Sequence, residues 1–299
     1  MPELPDIELY LTAMRSRILG ETIHGFRVAS PALLRTYRPP HTEVVGRRVD
    51  DLERIGKRIV MHLDEGLFCV IHLMVAGRLQ WKERPKTVIP KKVGLAAWDF
   101  AHGTLLLTEQ GTKKRAGVWV FDDEVQMRAE DRGGVEPLEV GVAAFRDALV
   151  RENRTLKRAL TDPRIFSGIG NAYSDEILWE AQLSPVKRTS QLSTEEVERL
   201  HGAVQSSLNR WTEVLAAEVG DAWPTKVTAF RAEMAVHGKF GEPCPRCGSP
   251  IQRIVYAANE TNYCATCQTG GKVLADRSLS RLLKDDWPAT IEELEERRG

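Results

Sequence analysis

Cys244-Pro245-Arg246-Cys247 and Cys264-Ala265-Thr266-Cys267 are two Cys-x-x-Cys knuckles with 16 residues between them, near the end of a 299-residue chain. A knuckle holds two thiolates on one side of a tight turn. A hairpin that brings two knuckles together makes a closed tetrahedral cage of four sulfurs, suited to structural zinc. Two disulfides or an iron site are the competing readings, and a cytosolic setting disfavours the disulfides. Cys69, the fifth cysteine, lies in the apolar run Leu67-Phe68-Cys69-Val70-Ile71 and reads as a buried, inert thiol. Structural zinc alone does not decide a function, because such ribbons serve many kinds of binding protein.

Upstream of the knuckles the chain is helical from about 142 to 215. Helical runs are expected at 143–149, 156–160, 171–183 and 194–215, with a tight turn at Gly168-Ile169-Gly170. Ser193-Thr194-Glu195-Glu196 carries helix-start capping chemistry. Gly133-Gly134 and Pro137 mark a linker. Before it, short apolar runs at 59–63, 67–73, 104–108 and 118–121 are broken by Asp64-Glu65-Gly66, His102-Gly103 and Gly111. They predict a β-rich domain. Ile7, Tyr10, Leu11, Met14 and Ile18 form one apolar helical face, with Gly20 as the stop. The expected organisation is therefore 1–135, 136–235, a finger over 236–275, and an acidic tail over 276–299.

The length suits about two domains, and a hydrophobic content of 42% supports real cores. No stretch approaches a membrane span, and no signal pattern opens the chain, so a cytosolic protein is expected. The formal net charge is zero, with 42 basic and 42 acidic residues, which argues against a general polycation. The distribution is uneven. Residues 285–296 hold six acids and no base, whereas 151–164 hold five bases against two acids, and Lys113-Lys114-Arg115 is a second basic run. Solvated faces are the ordinary reading of such runs.

The first residues, Met1-Pro2-Glu3-Leu4-Pro5-Asp6-Ile7-Glu8, put a reactive amine beside a carboxylate. Once Met1 is removed, Pro2 carries a secondary α-amine, partly uncharged near neutral pH. Such an amine attacks carbonyls or a sugar C1′ and gives an iminium, which cannot lose a proton from nitrogen and stays a strong electron sink. Glu3 is placed to give or take a proton. The structural alternative is that Pro2 and Pro5 simply stiffen a helix start.

Three landmarks in order, Pro2-Glu3-Leu4-Pro5, Gly168-Ile169-Gly170-Asn171-Ala172-Tyr173-Ser174-Asp175-Glu176, and the four-cysteine finger ending Cys267-Gln268, resemble the formamidopyrimidine-DNA glycosylase/endonuclease VIII family. The resemblance runs to about residue 275. It implies an α+β multidomain fold: an N-terminal β-sandwich flanked by helices, a helix–two-turns–helix domain, and a C-terminal zinc finger with one structural Zn2+. It also implies a monomeric enzyme of base excision repair that flips a damaged nucleotide out of double-stranded DNA. In that reading Pro2 is the nucleophile, Glu3 the acid/base for sugar-ring opening, and Lys57 the active-site lysine near the lesion phosphate. Asn171 matches a phosphate-binding asparagine at a helix start. Lys157 matches a basic position in the preceding helix, and His72 a contact to backbone phosphate.

The same resemblance exposes departures. Family members that repair oxidised guanine fill the vacated hole with Met, Arg and Phe. Here Val75 stands at the methionine position with Met74 one place early, Lys114 at the arginine with Arg115 next to it, and Ala116 at the phenylalanine. Asn259 stands where a finger arginine binds phosphate, and Arg253 or Lys272 are the available substitutes. The β-elimination machinery is intact. The lesion class stays open between formamidopyrimidine/8-oxoguanine and oxidised pyrimidines, and a non-catalytic binder of damaged DNA is the rival. The loop at 216–232 is expected to cap the flipped base.

Overall fold

The computed structural model describes residues 1–256, 259–274, 288, 290, 291 and 293, with the side chains of Tyr256 and Asn259 outside that description. The chain forms two units, residues 1–132 with 210–228, and residues 133–209 with 229–299.

In the first unit, α1 (Leu4–Ile18) turns Ile7, Tyr10, Leu11, Met14 and Ile18 into the core. Eight strands follow: β1 (Gly25–Val28), β2 (Val49–Ile55), β3 (Arg58–Leu63), β4 (Leu67–His72), β5 (Gly77–Lys82), β6 (Gly94–Asp99), β7 (Thr104–Glu109) and β8 (Gly117–Phe121), and then the short α2 (Glu124–Arg128). They pair antiparallel into two four-stranded sheets, β1-β6-β7-β5 and β2-β3-β4-β8. Period-2 alternation decides which residues meet. Ile59, Met61 and Leu63 of β3 join Leu79, Trp81 and Trp98 of the other sheet in the main core. Val60 points the opposite way, into a smaller cluster with Phe68, Val70, Phe121 and Met127 of α2. Both faces of the second sheet are thus covered, which explains the near-continuous apolar runs of β3 and β4. Cys69 is fully buried in the main core, and burial pushes its thiol up to about 12.

The 216–232 segment is anchored at its middle. It begins as helix, and Trp223 and Val227 then pack into the first unit's core. Trp223 donates from Nε1 to the Leu79 carbonyl at 3.0 Å and lies beside Tyr10 and Trp81, while Val227 is buried. An indole with its N–H satisfied is a strong apolar anchor, and nothing in the local spacing announces it.

The second unit holds α3 (Val142–Val150), α4 (Leu156–Thr161), α5 (Asn171–Glu180) and the first part of α6 (Thr194–Val219). Ser193 and Glu196 form a capping box: the Ser193 amide donates to Glu196 Oε2 at 3.0 Å, and the Glu196 amide to Ser193 Oγ at 3.3 Å. Gly168, at φ 75°, makes the left-handed turn before α5. Then β9 (Ile251–Tyr256) and β10 (Asn259–Cys264) form an antiparallel hairpin, followed by α7 (Ala265–Thr269). Ile291 joins Ile254, Tyr263, Ala265 and Val273 in the finger's own core, so this part of the expected tail folds onto the finger. Most of the acidic run at 285–296 lies outside the described residues. Among the described residues no helix is long and apolar enough to cross a membrane.

Candidate active site

Glu3 is the N-cap residue of α1, and it forms a reciprocal capping box with Asp6. The Glu3 amide donates to Asp6 Oδ2 at 2.9 Å. The chain start is thereby fixed to the first turn of a helix whose face is anchored in the core. Pro2 is buried and Glu3 is 2% exposed. With Met1 in place, burial lowers the Met1 α-amine below its ordinary pKa; Glu3 and Asp6 oppose this, and Arg78 and Lys57 add to it. Desolvation favours the uncharged form of an amine, which is the nucleophilic one.

Lys57 sits in the two-residue turn between β2 and β3, closed by the Ile55–Arg58 pair, with Gly56 at φ 60°. Arg54 ties this turn to α1. Its Nε donates to Glu8 Oε1 at 2.7 Å, and its Nη1 to the Gly56 carbonyl at 3.0 Å. The lysine is therefore held in register with the helix that carries the amine. Asp6, Glu8 and Arg54 are supports that the sequence reading missed. Glu3-x-x-Asp6 has capping-box spacing, but with an acid replacing the usual Ser or Thr at the cap.

His72 ends β4. Its Nδ1 accepts from the Met74 amide at 3.2 Å, so the neutral ring carries its proton on Nε2. Burial, with Arg58, Lys57 and Arg132 nearby, drives its pKa down to about 3. In this state the ring offers an uncharged Nε2–H donor. The turn that follows puts Met74 at φ 53° and leaves Val75 56% exposed at its crest, while Arg78 Nη1 grips the Gly77 carbonyl at 2.7 Å.

The basic run at 113–115 is organised by one buried acid. Glu109 Oε2 accepts from the Arg115 amide at 2.8 Å and the Ala116 amide at 3.1 Å, and Lys114 Nζ donates to the Glu109 carbonyl. Lys114 and Arg115 are exposed, whereas Ala116 is buried in the main core. The position expected to carry a wedge therefore faces inward.

In the second unit, Asn171 opens α5 and donates from Nδ2 to the Glu260 carbonyl of β10 at 2.9 Å. Lys157 does not stand out as a solvent-facing cation. Its Nζ donates to the Asn171 carbonyl and to Asp175 Oδ1, both at 2.6 Å, with 12% of the side chain exposed. Asn259 begins β10 opposite Tyr256; its side chain, and the contact expected of it, lie outside the described residues. Arg253 stacks on Phe240 at 4.3 Å and pairs with Glu260 at 3.5 Å.

The four cysteines converge. Their Sγ atoms all lie within 4.8 Å of one another, with Cys244–Cys267 at 4.0 Å and Cys247–Cys264 at 3.4 Å. A tetrahedral zinc with Zn–S bonds of about 2.3 Å needs sulfurs roughly 3.8 Å apart. The set fits, and it leaves no open position for chemistry. Trp179 of α5 donates from Nε1 to Cys244 Sγ at 3.3 Å, an outer-shell bond of the kind that orients a ligand.

Family models match along the chain: the formamidopyrimidine-DNA glycosylase N-terminal domain over 1–131, its H2TH domain over 134–220, and a zinc finger found in FPG and IleRS over 241–270. The formamidopyrimidine-DNA glycosylase of Heliobacterium modesticaldum is 31% identical over 90% of this chain and 100% of its own length. The Thermus thermophilus enzyme of that name is 32% identical over 91% of this chain and 100% of its own. The Lactococcus lactis enzyme, solved noncovalently bound to DNA containing an abasic site, superposes with a TM-score of 0.77 at 25% identity, covering 89% of this chain and 99% of that one. This chain belongs to the formamidopyrimidine-DNA glycosylase family.

Proposed function

We propose that this protein is a bifunctional DNA glycosylase and abasic-site lyase that excises oxidised bases from double-stranded DNA in base excision repair, with the amine of Pro2 as nucleophile. The observation that carries this reading is the capping box that fixes the chain start. Pro2 is buried beside the Glu3 cap, and this surrounding, Lys57 included, lowers the basicity of the α-amine that Met1 carries there.

The steps follow from these groups. With Met1 removed, the uncharged Pro2 nitrogen attacks C1′, the base leaves with the glycosidic electron pair, and the proton shed by the Pro2 nitrogen goes to the departing base. Glu3 delivers a proton to the sugar ring oxygen as the ring opens, giving the iminium. The iminium draws electrons from the C2′–H bond, the proton passes to a base, and the 3′ phosphate departs as the new C=C bond forms. Lys57 places positive charge where the leaving phosphate gains negative charge. His72 offers an uncharged N–H, and Asn171 sits at a helix start suited to an anion. Zinc supplies only the fold of the finger.

Formamidopyrimidine and 8-oxoguanine lesions are the first substrates to test. Oxidised pyrimidines are the second reading, favoured by the inward-facing Ala116, which removes one inserted side chain from the usual gap-filling set. The Lactococcus relative has been solved with both Fapy-dG DNA and DNA containing an oxidised pyrimidine.

Glu3→Gln tests the acid. Glutamine keeps an acceptor for the cap but cannot give up a proton, so folding should persist while base release falls by about 10²–10⁴-fold. Release on 8-oxoguanine and oxidised-pyrimidine duplexes, measured in single turnover, checks this. An unchanged rate would take Glu3 out of the reaction. A chain whose mass retains Met1, with its nucleophile blocked, points to the non-catalytic binder.

A further inference from the structure

Strand β5 lies at the edge of its sheet, with β7 on one side only. Every second residue of an edge strand points its N–H and C=O away from the neighbouring strand, and those groups need other partners. At Leu79 two side chains supply them. Tyr10 of α1 accepts the Leu79 amide at its hydroxyl, 3.4 Å away, and Trp223 donates from Nε1 to the Leu79 carbonyl at 3.0 Å. Both partners are fixed in turn. Tyr10 is buried, the guanidinium of Arg17 lies 5.6 Å over the Trp223 ring, and Arg17 Nη2 holds the Asp221 carbonyl at 2.8 Å. Beyond Trp223 the chain is held again by the buried Val227.

The turn before β5 is built into the strand. The Gly77 amide donates to the Leu73 carbonyl at 2.9 Å, and a Cβ on Gly77 would come within 2.3 Å of that oxygen, so the closure needs glycine. Arg78 Nη1 reaches back to the Gly77 and Val75 carbonyls at 2.7 and 3.3 Å. The Val75 crest is thus a rigid extension of β5, and Leu79 lies just past the point where the turn closes. Through Tyr10 the same residue is tied to α1, the helix that carries the chain start. Leu79 therefore sets the register between the amine-bearing helix and the crest, and Trp223 holds Leu79.

We propose that Trp223 is a positioning residue for base extrusion: by holding Leu79 against Tyr10 it fixes the Val75 crest relative to the helix that carries Pro2. This rests on the DNA-repair reading above, in which the crest faces the hole that a flipped base vacates. Pairing and stacking oppose extrusion, and the cost is least for a base without a partner. A displaced crest assists extrusion less, so the defect falls on paired lesions. An unpaired lesion, or an abasic site with no base to extrude, is handled as before.

The test is Trp223→Phe in the zinc-loaded full chain, which keeps an aromatic ring in the core and removes the N–H. Single-turnover base release is measured for 8-oxoguanine opposite cytosine and dihydrothymine opposite adenine, and for the same lesions opposite a tetrahydrofuran residue. Strand cleavage is measured at a preformed abasic site, and each rate is compared with the parent on the same duplex. Release of the paired lesion should fall by about 10–100-fold, while the unpaired lesion and the abasic site stay within about threefold of the parent. Tyr10→Phe, which removes only the hydroxyl that takes the Leu79 amide, should show the same selective loss, and it decides the matter if Trp223→Phe folds poorly. Equal losses on paired and unpaired duplexes, or no loss in either variant, overturn the positioning role and leave the repair reading standing. A parent chain that releases neither lesion and cleaves no abasic site rejects the repair reading and the proposal with it.

Discussion

A Pro2→Gly chain folds like its parent and cleaves abasic-site DNA more slowly by a factor on the order of 10³ or more. Glycine keeps an amine at the chain start, so the loss isolates what proline adds. The ring fixes the direction of the nitrogen relative to α1, and a secondary amine yields an iminium with no N–H to surrender. Folding should survive because the anchors of α1 lie elsewhere: Ile7, Tyr10, Leu11 and Met14 in the core, and the Glu3–Asp6 box at the cap. Unaltered circular dichroism and melting, removal of Met1 confirmed by mass, and collapse of single-turnover cleavage are the expected set. Full activity in this variant would remove Pro2 from the mechanism.

Chelating the zinc, or replacing Cys244 with Ser, is expected to unfold the β9–β10 hairpin while the first unit stays folded. Binding to a structural four-ligand site contributes on the order of 10 kcal/mol to a small finger, which the few apolar residues around Ile254 and Tyr263 cannot replace. The consequences extend to α5. Asn171 loses its bond to the Glu260 carbonyl, Gly238 its bond to Asn262, and Trp179 both the Cys244 sulfur and the guanidinium of Arg246 stacked 4.2 Å above it. Affinity for a tetrahydrofuran duplex should fall at least about tenfold with the loss of these positioned groups. Tryptophan fluorescence during chelation, followed by binding isotherms, checks both parts; affinity unchanged after zinc is lost would show the finger is not needed.

The parts that could be read in advance are those whose chemistry is written into neighbouring residues. The Cys-x-x-Cys spacing carried the metal cage, and the apolar face from Ile7 to Ile18 carried α1. Strands β3 and β4 showed as apolar runs because both faces of their sheet are covered. By contrast, β2 reads Val49-Asp50-Asp51-Leu52-Glu53-Arg54-Ile55, with only Val49, Leu52 and Ile55 buried, and its polar positions hid it. Pro2, Glu3 and Lys57 were visible through motif and order, but not the groups that hold them. Asp6 acts through a reciprocal cap that lacks Ser or Thr, and Arg54 through a partner 46 residues away. Lys157 showed only as a match to a basic position of the family, and its pairing with Asp175, 18 residues on, could not be read from sequence. The anchoring of Trp223 likewise joins residues far apart in the chain, and no local pattern encodes it.

Trapping with borohydride tests the central claim most directly. The purified chain, freed of Met1, is incubated with duplexes holding an abasic site, 8-oxoguanine or an oxidised pyrimidine, and any iminium is reduced in place. The account predicts a covalent protein–DNA adduct whose peptide maps to Pro2, formed on the abasic duplex and on whichever lesion class is the substrate. No adduct on any duplex, or an adduct mapped to a lysine with Pro2 unmodified, would contradict it.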